Sequence, residues 1–98
     1  MLFRSRVTMN LSHKGYTKLR SKGFRAKPYR DENGNLYVGY RHKLSDGDGV
    51  AYKDVINAFK ASELLIKDVE DAVAKVLPTV TSSITQDEFD ALVIGTLN

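Results

Sequence analysis

The sequence predicts a small α+β domain: a short helix, a small antiparallel sheet, a long helix and a terminal helix. Three observations predict it. Leu36, Val38 and Tyr40 alternate with other residues just after the turn-rich stretch DENGN, the mark of paired strands. From Ala61 to Leu77 the apolar residues instead recur at i, i+3, i+4 and i+7, which is helical spacing. The stretch TQDE then reads as a capping box opening one more amphipathic helix. Ninety-eight residues with 42% apolar content suit one domain with a thin core.

Each element has its own local signals. Ser12 precedes HKGYTKLRSK and can cap a helix whose apolar face holds Tyr16 and Leu19 and which stops at Gly23. Gly15 makes that helix weak in isolation. From Pro28 onward two short strands are expected, one around Tyr29 and one over Leu36 to Tyr40, joined by a turn with Asn33 and Gly34. SDGDG, at Ser45 to Gly49, marks a second loop. Asn57 is placed to cap the long helix, which carries Ala61, Leu64, Leu65, Val69, Ala72, Val73, Val76 and Leu77, and Pro78 stops it. Thr85 and Glu88 open the last helix, with Phe89, Leu92, Val93 and Leu97 on one stripe. Residues 1–11 read as a basic arm and residues 12–98 as a single domain.

Composition narrows the function classes. With no cysteine there is neither a disulfide framework nor a thiolate metal site. No apolar run approaches the roughly 20 residues of a membrane span, and MLFRSRVTMN lacks the pattern of a secretory leader, so a soluble, unprocessed chain with no membrane partner is expected. The net charge of +3 hides an asymmetry. Met1 to Lys43 holds eleven Lys or Arg against Asp31 and Glu32, whereas Leu44 to Asn98 holds four against ten acids. A basic half suits an anionic wall polymer, nucleic acid or an acidic protein surface, or the two halves neutralise each other on folding.

Residues Lys22 to Leu44, KGFRAKPYRDENGNLYVGYRHKL, resemble the active-site segment of phage-type lysozymes. That family follows its first helix with Glu-Gly, an aromatic or leucine and a basic residue, then Tyr-Arg-Asp, a turn, and a strand ending in Gly-aromatic-Gly-His. Further on, ASELLIKDVEDAVAKV is similar to the family's interlobe helix and TQDEFDALVIGTLN to the start of its second lobe. The resemblance spans Ser12 to Asn98 and implies a lysozyme-like N-terminal lobe, lacking most of the second lobe.

It also exposes three departures. The general-acid glutamate falls on Lys22, the threonine near the attacking water on Tyr37, and the second glycine of the strand pattern on Arg41, while Asp31 matches. Glycoside hydrolysis needs a protonated acid at the leaving oxygen and a second carboxylate at the sugar carbon. An ammonium is a poor donor near neutral pH, and the adjacent Glu32 is expected to be solvated on its turn. On this ground the chain is expected not to be an enzyme.

Other sites are weaker. DGDG at Asp46 suggests a calcium loop, but the twelfth position is Asn57 where a bidentate Glu belongs, so an ordinary turn is expected. His13 and His42 lack a third ligand at metal spacing, and the resemblance implies a structural hydrogen-bonding role for His42. No metal and no cofactor is expected. Tyr29, Tyr37 and Tyr40 with Arg30 and Arg41 suit either base stacking or an ordinary sheet core and rim. The resulting expectation is a non-catalytic lysozyme-like virion component, structural or decorating. It would dock on other phage subunits or itself through Arg20, Lys22, Arg25, Lys27, Arg30 and Arg41 and through Phe89, Leu92 and Val93. The alternatives are an effector in the host cytoplasm that binds an acidic host protein or nucleic acid, and a peptidoglycan-binding muramidase remnant.

Overall fold

The computed structural model describes residues 9–80 and 83–97, so residues 1–8 of the expected arm lie outside the described residues. Helix α1 is His13–Arg20, followed by strands β1 (Arg25–Arg30), β2 (Leu36–Gly39) and β3 (His42–Lys43), the long helix α2 (Ala58–Val76) and helix α3 (Gln86–Leu97). The α+β class is as the sequence predicts, with one strand more. A two-residue strand shows no alternation, which is why β3 is invisible in the sequence.

Helix α1 starts where Ser12 Oγ accepts from the Gly15 N–H at 3.1 Å. It ends at Arg20, short of the expected stop, because Ser21 and Lys22 form a turn and Gly23 then reverses the chain at φ +107°, a conformation that glycine adopts without strain. Gly15 is itself buried: a Cβ there would lie 2.6 Å from Leu11 Cδ1 and 3.3 Å from the Asp90 carboxyl carbon. The helix gives up propensity at this position so that Leu11 and Asp90 can approach. Leu11, expected in the arm, is core.

The sheet order is β1-β2-β3, antiparallel throughout. Asp31 to Asn35 close the first hairpin, with Asp31 N–H donating to Asn35 O at 2.9 Å and Gly34 at φ +85°. Tyr29 lies opposite Tyr37, and Tyr37 opposite Lys43, so these three share the outward face. Val38 and His42, also paired, are buried on the other face, which lies on α2. The approach is close: a Cβ at Gly39, which sits at φ +67°, would be 3.2 Å from the Ala61 Cβ.

Asn57 caps α2 by accepting from the Lys60 N–H at 2.8 Å, and a 3-10 turn at Leu77–Thr79, containing Pro78, ends it. Every residue of its predicted stripe is buried except Leu77. In α3 the capping box forms reciprocally, Thr85 N–H to Glu88 at 2.8 Å and Glu88 N–H to Thr85 at 3.1 Å. Phe89 and Val93 are 0% exposed, in one cluster with Leu11, Leu19 and the second half of α2. The apolar surface expected to receive a partner is therefore largely internal; of its three residues only Leu92, 47% exposed, faces outward. An apolar stripe reports that a face is covered, and here α2 and α1 cover it.

Candidate active site

A groove of about 290 Å³ runs beside the outward face of the sheet. Leu19 and Lys22 come from α1 and the turn after it, Tyr37, Tyr40, Arg41 and Lys43 from β2, β3 and their turn, Asp68, Asp71 and Lys75 from α2, and Thr96 and Leu97 from the end of α3. Lys22, Arg41 and Lys43 thus share the groove with Asp68, Asp71 and Lys75 of α2, and one of those carboxylates, Asp68, already accepts from His42.

Asp31 sits at the start of the hairpin turn, and its Oδ1 accepts from the backbone N–H of Asn33 and of Asn35, both at 2.9 Å. Burial pushes its pKa up. The backbone donors Asn35 and Asn33, helped by the side chains of Asn35 and Tyr37, more than reverse that, so the carboxyl lies below its ordinary value and is ionised at neutral pH. Tyr37 joins the two features, since its side chain helps to lower the Asp31 pKa and also lines the groove.

Four side chains stack across the sheet next to it. The Arg25 guanidinium lies 4.3 Å from the centre of the Tyr29 ring, the Tyr29 and Tyr37 rings are 6.0 Å apart, and the Arg41 guanidinium lies 5.5 Å from Tyr37. Arg41 holds its position at φ +62°, the left-handed region, which costs a non-glycine residue of order 1–3 kcal/mol.

The sheet is anchored from below. His42 is 7% exposed, and its Nδ1 and Nε2 each lie 2.7 Å from a carboxylate oxygen, of Asp68 on α2 and of Asp48 in the 3-10 turn Asp46–Asp48. A carboxylate at both nitrogens makes both of them donors, which is the imidazolium form. The stretch read as an ordinary turn thus has a task, because Asp48 also accepts from the Ser45 N–H at 2.7 Å. The hydrogen-bonding role the resemblance implies for His42 is a two-sided clamp between the sheet and α2.

The basic residues expected to form one docking face are dispersed. Lys22 and Arg41 reach the groove and Arg25 the stack. Arg20 lies over Tyr16, Arg30 over Tyr52 with Nη1 donating to Gly34 O at 3.0 Å, and Lys27 is exposed on β1. The sequence reading missed Lys43, Asp68, Asp71 and Lys75. The last three lie at i, i+3 and i+7 on α2, a polar stripe that marks one face of that helix.

Three comparisons place this geometry among known proteins. The family model described as Phage lysozyme matches residues 19–98. The endolysin of Salmonella phage P22 is 40% identical over 90 residues, 86% of this chain and 59% of that protein. Among solved structures, the endolysin from Escherichia coli O157:H7 phage FAHEc1 superposes with a TM-score of 0.85 at 36% identity, covering 96% of this chain and 60% of that one. The muramidase domain of SpmX from Asticaccaulis excentricus gives 0.77 at 26%, covering 92% and 59%. The chain spans about three fifths of the length of each of these relatives. They correct the expectation of a protein that is not an enzyme: relatives at 36–40% identity are endolysins, which points to an enzyme, and the residue at position 22 does not by itself show lost activity.

Proposed function

The chain belongs to the phage lysozyme family, and from that premise we propose that it cleaves the glycan strand of bacterial peptidoglycan, seating the strand in the groove beside Asp31. The observation that carries this reading is the Asp31 carboxylate, kept ionised by the hairpin's own N–H groups and tied through Tyr37 to a groove lined by Lys22. Hydrolysis of a glycosidic bond requires a proton at the leaving oxygen and a negative charge or an activated water at the sugar carbon. Asp31 supplies the second. Lys22 stands where the resemblance places the proton donor, and its ammonium hydrogen-bonds the leaving oxygen and passes it a proton. The amine is then recharged from solvent.

An ammonium gives up its proton less readily than a carboxylic acid, so proton delivery limits the rate. Two variants test this on purified peptidoglycan, read as reducing ends released. Asp31→Asn lowers the rate by about 10³-fold, and Lys22→Glu raises it by about 10²-fold, within the range of general-acid effects. No release by either the wild-type chain or Lys22→Glu overturns the reading.

A further inference from the structure

We propose that the outward face of the sheet recognises carboxylates on the peptides borne by the glycan strand, through the stacked Arg25, Tyr29, Tyr37 and Arg41 together with Lys43; this rests on the glycan-cleavage reading and names which form of the strand it prefers. The stack is a product of register. Tyr29 and Tyr37 are directly paired across β1 and β2, and Lys43 is paired with Tyr37 across β2 and β3, so one row of the sheet carries both rings and a cation. An arginine closes each end of the ring pair.

A guanidinium lying over a ring keeps its N–H edge pointing away from the ring, and that planar edge matches a carboxylate with two parallel hydrogen bonds. Holding the guanidinium against the ring also removes side-chain freedom before a ligand arrives, which lowers the cost of binding. Among the described residues, no carboxylate forms an ion pair with Arg25 or Arg41. Tyr37, Arg41 and Lys43 also line the groove, so the row reaches the place where the strand is cut. The positive φ at Arg41 adds an independent argument. A strained conformation kept for a long cationic side chain, at a position glycine would fill without strain, is what a binding role looks like.

The test compares three probes by calorimetry: a neutral N-acetylglucosamine oligomer, a disaccharide peptide with free carboxylates, and the same peptide with its carboxylates amidated. The wild-type chain should bind the free-carboxylate peptide about tenfold more tightly than the amidated one, and Arg25→Gln with Arg41→Gln should bring that ratio close to one. The wild-type ratio needs no variant and so does not depend on how well the variants fold. Equal, measurable affinity for all three probes overturns this proposal and leaves glycan cleavage standing. No binding of any probe, with no release of reducing ends from peptidoglycan, overturns both.

Discussion

The helical region and the sheet region of this chain are held together by different physics. In the first, α1, α2 and α3 bury Leu11, Leu19, Leu65, Val69, Phe89 and Val93 in one apolar cluster. In the second, the sheet meets α2 through a smaller cluster, with Val38, Ile56, Ala61 and Leu64 buried and Tyr40, Leu44 and Val50 packed at its edge, and His42 is clamped between Asp68 and Asp48 beside it. Apolar burial is indifferent to pH, whereas a buried imidazolium between two carboxylates is not. The part of the molecule that carries Asp31, Tyr37 and Arg41 is thus the part whose attachment depends on protons.

The largest expected effect breaks the helical region. Phe89→Ala should cost about 3–5 kcal/mol of unfolding free energy in urea titration, because its side chain is wholly buried. A loss under 1 kcal/mol would mean that α3 is not part of the core. His42→Ala should cost about 3 kcal/mol, since it leaves the Asp48 and Asp68 carboxylates facing an empty site. Its amide-exchange signature should be confined to β2, β3 and the adjoining part of α2, where Phe89→Ala would loosen the helices.

The pH dependence sharpens the contrast. The hydrogen bond to Asp68 raises the His42 pKa against the opposing effect of burial, and Asp48 raises it further. That stability is fully present below the unfolded histidine value of about 6.5 and is lost as pH climbs through the raised folded value. For Asp48, burial acts upward, but the His42 and Ser45 hydrogen bonds leave it below its ordinary 3.8, so its contribution is present above about pH 4 and lost as pH falls through the lowered value. The wild-type chain should therefore melt at a higher temperature at pH 5.5 than at pH 8.5, and His42→Asn should flatten that difference. An equal wild-type Tm at both values would mean that the clamp is electrostatically idle.

Smaller effects probe the joints. Asp90 on α3 is buried, accepts from the Ser12 N–H at 3.0 Å and from Gln86 at 2.9 Å, and also bonds the Ser12 hydroxyl, so it ties the start of α1 to α3. Asp90→Ala should cost about 2 kcal/mol by orphaning these donors. Arg41→Gly should be the smallest and of opposite sign, a gain of about 0.5–1 kcal/mol from relieved strain, accompanied by weaker binding of the carboxylated peptide.

What was legible in the sequence is what is local. Ser12, Asn57, Pro78 and the Thr85–Glu88 pair act within four residues of themselves, so their spacing announces them, and the α2 stripe follows from helix geometry alone. Contacts between distant segments leave no such trace. Nothing in the spacing says that His42 meets both Asp48 and Asp68, that Gly15 makes room for Leu11 and Asp90, or that Phe89 is covered by the chain itself. The candidate site divides in the same way. Asp31 and Lys22 stand in a motif, while Lys43 and Lys75 join them only because β3 and α2 fold onto the same groove.

The proposed substrate site is the outward face of the sheet with the groove between it and the helices, and not the exposed apolar faces of α2 and α3. The most direct test is titration of the isotopically labelled chain with a peptidoglycan-derived disaccharide peptide, followed through the amide resonances. Perturbations should cluster at Lys22, Asp31, Tyr37, Arg41 and Lys43, with affinity falling as salt rises. Shifts centred on the exposed apolar residues Phe59 and Ile66 of α2 or Leu92 of α3, with the sheet silent, would contradict it.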